Sequence, residues 1–312
     1  MQTYKLSIVI VNFETFEYTS ECIDSIYKNP PSYLYEIILI DNGSQDGSLE
    51  KIQDKFPEVK CIRIGENLGF SQANNLGIQN ARGELVLLLN SDTKILNGSL
   101  NRMVEYLNEH LSVGVVAPRQ IDGTGRIQFS WGSFPTFISE FYRKIVHYRL
   151  SIDDPKIRDY LEEKCNAICE VDWVSGSCLL VRKKALFDVG LFDKNFFMYF
   201  EDIDLCHRIK NTGLQINYNP NATILHYGGV SAKKNILHVL VEYRRSQIYF
   251  TRKYYGTLGV VLLKLLLFVK YGFYLIRWGM VYIIEKLSSK VSSETFAKLL
   301  LSKKAIGLIF ER

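Results

Sequence analysis

The chain has 312 residues, 47% apolar and 23% charged, enough for one large domain or one domain with an appendage. A net charge of +5 without a basic arm excludes nucleic acid as an expected partner. The six cysteines (Cys22, Cys61, Cys165, Cys169, Cys178 and Cys206) are scattered; lacking a second close pair they exclude a zinc ribbon and read as buried thiols in a reducing compartment.

The opening MQTYKLSIVIVNF enters a strand within six residues and has no charged segment ahead of a long apolar run. No signal peptide is expected, and the catalytic part is assigned to the cytoplasm. Strand patterns at 6–11, 35–40, 59–64, 85–89 and 113–117 alternate with helical spacing at 16–28, 48–56, 69–81 and 97–108. Such alternation with short connections predicts a largely parallel sheet with helices on both faces. Polar clusters sit at the strand ends: Asn12, Asp41, Asn67 and Asn90-Ser91-Asp92. These ends share one edge of a parallel sheet, where open α/β sheets bind their ligands.

Residues 119–172 are less regular, with a turn at 123–125, a strand at 126–131 and an aromatic, basic stretch at 134–150. They read as an insertion that shapes a second substrate's pocket. A strand-like segment at 171–181, a short helix at 183–189 and an aromatic loop at 195–200 follow. Next come a helix at 203–210 stopped by Gly213 and short strands at 215–218 and 222–226. From residue 236 the pattern is helical and changes character near Gly256. Residues 258–284 are densely apolar, but Lys264, Lys270 and Arg277 leave no uncharged run of the ~18–20 residues that span a bilayer. The expectation is one or two helices lying on a membrane surface through 256–284, with basic side chains reaching lipid phosphates. A helix of the core or of a homo-oligomer interface is the alternative.

The polar clusters suggest chemistry. Asp92 ends the buried run LVLLLNSD and suits a hard cation, Mn²⁺ or Mg²⁺, on the diphosphate of a nucleotide-sugar. His226, in LHYGG, is the second metal ligand. Either residue alone reads equally as a cap or a structural side chain. Asp41 suits the imide N–H of uracil or thymine, or else an Asx-turn. Glu201-Asp202-Ile203-Asp204 places three acids at a helix N-terminus. Neighbours in sequence do not share a helix face, so their duties differ. Asp202 is the catalytic base, Glu201 holds the acceptor or orients the site, and Asp204 caps the helix and pairs with Arg208. Trp173, Gly176 and Ser177 fit the floor of an acceptor site.

Taken together, SIVIVNFE, LIDNGSQDGS, ENLGFSQANNLGI, GELVLLLNSD, WVSGSCLLVRK, FDKNFFMYFEDIDLCHRIKNTG and LHYGG resemble family 2 glycosyltransferases of the GT-A fold. The resemblance covers about residues 5–255 and is closest to the rhamnosyltransferase-type branch that builds bacterial surface and cell-wall polysaccharides. It implies a GT-A domain over 1–255, with a nucleotide-binding half at 1–118 and an acceptor and catalytic half at 119–255, followed by a tail at 256–312. It also implies an inverting single displacement in which Asp92 and His226 carry the metal and Glu201-Asp202 the base. Asn12, Asp41, Asn67 and Asn74 correspond to donor-contact positions, with Glu14 and Asn90 in the same nucleotide-sugar set. Many relatives have Asp-x-Asp where Asn90-Ser91-Asp92 stands, and Arg where Asn74 stands. Both departures resemble the rhamnosyltransferase branch, so the implied donor is dTDP-rhamnose, with a UDP-hexose or UDP-N-acetylhexosamine as the alternative. The implied acceptor is a lipid-linked saccharide at the cytoplasmic face of the cell membrane. A nucleotidyltransferase would need a Gly-rich loop where Asn12-Phe13-Glu14 follows the first strand. A non-catalytic saccharide-binding protein is the reading that turnover would exclude.

Overall fold

The computed structural model describes residues 3–152, 154–229, 236–288 and 292–310. Contacts divide the chain into two compact units, one of residues 1–194 and 201–231 and one of 195–200 and 232–312.

The larger unit begins with β1 (Leu6–Asn12), α1 (Phe16–Lys28), β2 (Tyr35–Asn42), α2 (Ser48–Lys55), β3 (Lys60–Ile64), α3 (Gly69–Asn80) and β4 (Leu85–Asn90). It continues through β5 (Thr93–Ile95), α4 (Ser99–Glu109), β6 (Val113–Ile121), β7 (Trp131–Gly132), α5 (Phe137–Ser151) and α6 (Pro155–Lys164). It closes with β8 (Cys169–Val171), β9 (Trp173–Val174), β10 (Cys178–Arg182), α7 (Lys183–Asp188), α8 (Glu201–Lys210) and β11 (Gln215–His226). The main sheet runs β3-β2-β1-β4-β10-β6-β11-β5. β3, β2, β1 and β4 are parallel, as the alternation predicts. β10 lies antiparallel between β4 and β6, and β11 closes antiparallel on β5. The sheet is therefore mixed, because β10 returns from the insertion rather than from a crossover helix. The two short strands expected at 215–218 and 222–226 are one strand with a register shift between Asn219 and Thr223. Pro220 lies inside that shift and has no N–H to give the ladder.

β1, β2 and β4 are buried along nearly their whole length because helices cover both faces. Ile8, Ile10, Leu39, Leu87 and Leu89 pack with Ile23 and Ile26 of α1 and with Met103 and Leu107 of α4. α3 rides close on β1, since a Cβ at Gly77 would lie 2.2 Å from Val9 Cγ1. At the edge where β1 and β2 begin, buried Glu36 accepts from Ser7 Oγ (2.6 Å), Arg82 N (2.7 Å) and Arg82 Nε (2.8 Å). Burial pushes the Glu36 carboxyl up, but these hydrogen bonds and the guanidinium charge bring it below its ordinary value. A carboxylate held low stabilises the fold above the unfolded-state value and loses that contribution as pH falls through the folded one. We expect Arg82→Ala to destabilise the fold at neutral pH and to flatten the acid limb of stability, read by urea melts at pH 7 and pH 4; an unchanged acid limb would clear Glu36 of that role.

The smaller unit holds segment 195–200, α9 (Ile236–Leu287) and α10 (Ser293–Phe310). Phe196 and Phe200 pack on Tyr249 and Phe250, so the aromatic loop supplies core rings. α9 is interrupted at Gly256 (φ 65°, ψ −165°), a backbone state that requires glycine. Beyond the break, Leu263, Leu267 and Tyr271 pack on Ala305 and Ile309 of α10. α9 is long and apolar enough to cross a membrane, with a mean hydropathy of 1.9 over its best window. Lys264, Lys270 and Arg277 still interrupt this run, so its capacity to span is one of length and composition alone.

Candidate active site

The site is built at the carboxyl ends of the strands. Asn12, ending β1, pairs across the sheet with Asp41 of β2. Its amide donates to Asp41 Oδ1 (2.9 Å), Ser44 Oγ (3.1 Å) and Ser48 Oγ (2.8 Å). Its oxygen accepts from the hydroxyls of Thr15 (3.0 Å) and Thr19 (2.8 Å). Asn12 is thus fully committed to protein partners; what it offers the crevice is the fixed carboxylate of Asp41. Glu14 adopts a left-handed backbone (φ 52°) and donates its N–H to Ser44 Oγ (3.0 Å). Asn67 Oδ1 accepts from Asn42 Nδ2 (2.9 Å) and Gly69 N (2.9 Å). Gly43 lets these turns meet, since a Cβ there would lie 2.7 Å from the Glu66 carbonyl carbon. Asn74 is buried in α3 and donates to the Phe70 carbonyl one turn back (2.9 Å).

The end of β4 joins this edge. Ser91 Oγ lies 3.1 Å from Thr15 Oγ1, and Asn90 N donates to Ser177 O (2.9 Å). Asp92 follows, buried, with Oδ1 3.3 Å from His226 Nε2. The short β5 strand brings them together, because Thr93 pairs with His226 across the β5–β11 ladder. Gln128 holds the ring from its other side: Nε2 donates to the His226 carbonyl (2.8 Å) and Oε1 lies 3.0 Å from His226 Nδ1. His226 Nε2 is buried and has no hydrogen-bond partner. A nitrogen left so, beside a carboxylate at 3.3 Å, fits a divalent cation, whose neighbouring ligands are separated by about 3 Å in octahedral geometry. Among the described residues no third His, Cys, Asp or Glu joins them, so oxygens from a diphosphate and water would fill the remaining positions.

Asp202 lies on the same edge. Its Oδ2 accepts from Gly176 N (2.9 Å) and its Oδ1 from Ile203 N (2.8 Å). Gly176 packs closely here: a Cβ there would make ordinary contact with Asp202 Cβ and the Phe70 ring at 3.4 Å. Ser177 is buried and donates to Gln120 Oε1 (2.9 Å). Tyr199 and Phe200, just before α8, have left-handed backbones (φ 69° and 65°), strain of the kind held at functional sites. Asp204 is buried and accepts from Arg208 Nε (2.8 Å).

The family model for glycosyl transferase family 2 matches residues 7–186, more than half of the chain. The chain belongs to glycosyl transferase family 2. It is 29% identical to an N-acetylglucosaminyl-diphospho-decaprenol L-rhamnosyltransferase of Mycobacterium tuberculosis over 237 residues, covering 70% of this chain and 76% of that one. It is 28% identical to rhamnosyltransferase WbbL of Escherichia coli over 228 residues, covering 70% of this chain and 82% of that one. Among solved structures, GalNAc-T7 with UDP, GalNAc and Mn²⁺ superposes with a TM-score of 0.56 at 18% identity, covering 78% of this chain and 47% of that one. S. aureus TarS gives 0.54 at 17% identity, covering 76% and 38%. These likenesses establish the GT-A fold, and the protein is a glycosyltransferase.

Trp173 and Glu201 complete the residues singled out in the glycosyltransferase sequence. Trp173 is buried, with Nε1 donating to Ser133 O (2.8 Å). It borders a cavity of about 200 Å³ whose walls include Trp131, Tyr142 and Tyr160, with Glu140 and Lys164 among the polar groups. Glu201 is fully buried, and burial, reinforced by the charges of Asp202 and Asp204, pushes its carboxyl well above the ordinary value. A buried acid raised in this way weakens the fold as pH rises from the unfolded-state value through the folded one. We expect Glu201→Gln to raise the melting temperature more at pH 8 than at pH 5, read by calorimetry; an equal gain at both would mean that Glu201 ionises freely in the fold. Gln128, Gln120, Asn42 and Thr15 were not legible as site residues, since isolated amides and hydroxyls in strands and turns carry no spacing signal. Ser91 lay inside the NSD motif and could have been read with it.

Proposed function

We propose that this chain is an inverting, divalent-metal-dependent glycosyltransferase that moves L-rhamnose from dTDP-rhamnose to a hydroxyl of a lipid-linked saccharide, in bacterial surface polysaccharide synthesis. The observation that carries this reading is the meeting of Asp92, His226 and Asp202 on one edge of the sheet, beside Asp41. Asp92 and His226 would hold the cation, which when bound neutralises charge on the departing diphosphate. Asp41, fixed by Asn12, accepts the imide N–H of the base; Glu14 and Asn67 shape the turns around the donor, with Asn74 on α3 and Asn90 at the end of β4 beside them. Asp202, held by the Gly176 and Ile203 amides, takes the proton of the acceptor hydroxyl. The oxygen of that hydroxyl bonds to C1, the C1–O(phosphate) bond breaks, and its electron pair leaves with the nucleoside diphosphate. Gly176, whose N–H holds Asp202, and Ser177 form the floor of the acceptor site with Trp173, and Glu201 holds the acceptor or orients the site. The aromatic walls beside Trp173 suit the face of an acceptor sugar ring.

Relatives named as rhamnosyltransferases, one on a decaprenol-linked substrate, support the donor and acceptor classes. The tail supports a membrane site at the cytoplasmic face: Leu265, Val269, Phe273 and Ile276 are exposed, and Lys270 and Arg277 lie over Tyr271 and Trp278, as interfacial anchors do. The test is donor hydrolysis and transfer on vesicles, across dTDP-, UDP- and GDP-sugars with and without Mn²⁺, followed by alkaline carbonate extraction. We expect turnover of dTDP-rhamnose only with metal and release of the protein by carbonate. Turnover of a UDP-hexose or UDP-N-acetylhexosamine instead would reassign the donor. Retention after carbonate would make α9 a spanning helix, and self-association in place of vesicle binding would make the tail an oligomer interface.

A further inference from the structure

Gln128 stands in the insertion, outside every motif that marks the family, yet both ends of its amide are committed to one residue. Its Nε2 lies 2.8 Å from the His226 carbonyl oxygen. A carbonyl only accepts, so this contact fixes which end of the amide is NH₂ and removes the ambiguity of an amide flip. The other end must then be oxygen, and it lies 3.0 Å from His226 Nδ1. Amide oxygen also only accepts, so Nδ1 carries the ring proton. A neutral imidazole has one N–H, so Nε2 keeps its lone pair. That atom is the buried, unpartnered one, 3.3 Å from Asp92 Oδ1.

We infer that Gln128 is a positioning residue that locks His226 in the Nδ1–H tautomer and aims the Nε2 lone pair beside Asp92, where a divalent cation on a nucleoside diphosphate would be held. The inference rests on the metal reading of Asp92 and His226 given above. The backbone supports the clamp: Gln128 N donates to Gln120 O (2.8 Å), tying the start of this segment to β6, the strand beside β11. The side chain therefore reaches His226 from a neighbour of its own strand. Partners of this kind on a ligating histidine contribute a factor of about 10–100 in metal affinity.

The test compares Gln128→Leu, which removes both contacts, with Gln128→Glu, which keeps an acceptor for Nδ1–H and loses the donor to the carbonyl. Mn²⁺ binding in the presence of dTDP is measured by loss of the free-ion EPR signal. The ring tautomer is read in the metal-free protein by ¹⁵N NMR of labelled histidine, with His226→Ala assigning the resonance. We expect Gln128→Leu to weaken Mn²⁺ about 10–100-fold and to lose the Nδ1–H signature, while Gln128→Glu retains both. Wild-type affinity and an unchanged tautomer in Gln128→Leu would overturn the role of Gln128, with the metal site intact if His226→Ala still abolishes binding. Full Mn²⁺-dependent dTDP binding in His226→Ala would overturn the metal reading itself. If Gln128→Leu fails to fold, a wild-type protein showing the Nε2–H signature, or Gln128→Glu losing Mn²⁺ as His226→Ala does, overturns the inference alone.

Discussion

Asp202→Asn should reduce sugar transfer by roughly 10²–10⁴-fold, the range a positioned general base supplies, while binding of dTDP with Mn²⁺ stays at the wild-type level. The amide keeps the size of the carboxylate and one acceptor for the backbone donors of Gly176 and Ile203, but it does not take up a proton at neutral pH. In the proposed reading the donor is held by Asp41 and the Asp92–His226 pair, and Asp202 has no part in that binding. Single-turnover transfer and calorimetric titration with dTDP separate the two effects. Parallel loss of binding and turnover would make Asp202 a structural residue of the α8 N-terminus. Glu201→Gln is the control, because Glu201 is the buried acid held above its ordinary value. If Glu201→Gln loses the roughly 10²–10⁴-fold expected of a general base while Asp202→Asn stays active, the base is Glu201, and its raised proton affinity is the reason.

Much of this site was legible because its carriers end strands. A buried run broken abruptly by Asn90-Ser91-Asp92 states both the strand and its useful end, and the same holds for Asn12 and Asp41. The first four strands and their helices followed from periodicity, with α1 spanning the expected residues 16–28. Legibility failed where elements are short or context-made. β5 is three residues long, paired with β11 and tied to α1 by Ile95 N donating to Ser25 Oγ, yet it brings Asp92 to His226. α6 begins with Asp154 accepting from Lys156 N and Pro155 in the first turn, a start signal present in the sequence and hidden within an irregular stretch. β10 runs against its neighbours because the chain returns from the insertion, a property of the path and not of residues Cys178–Arg182. Asn12 and Asn74 look alike in the sequence as polar residues, yet the structure commits both amides to protein acceptors. Residue type marked the polar edge of the sheet, and geometry showed which of its side chains are already held by protein partners.

Asp92→Ala should remove the Mn²⁺ dependence of dTDP binding and lower transfer roughly 10³-fold or more, since charge stabilisation by a bound cation is worth several kcal/mol. The fold should survive, because Asp92 enters the ladder only through its backbone, where Tyr227 N donates to its carbonyl (3.0 Å). The informative comparison is with His226→Ala and the double variant. Two ligands of one cation act as a unit, so the double variant should be little worse than either single one. The loss measured at zero Mn²⁺ should be small in all three. Additive losses would mean that Asp92 and His226 serve separate partners, whereas non-additive losses that persist at zero Mn²⁺ would mean that the 3.3 Å between them is an ion pair with a protonated imidazole. That alternative carries its own signature. An ion pair needs a proton on Nε2, whereas Gln128 as placed already holds the proton on Nδ1, so the imidazole would have to be doubly protonated. Coupling that appears only with metal therefore marks a metal site, and coupling that persists without it marks a salt bridge.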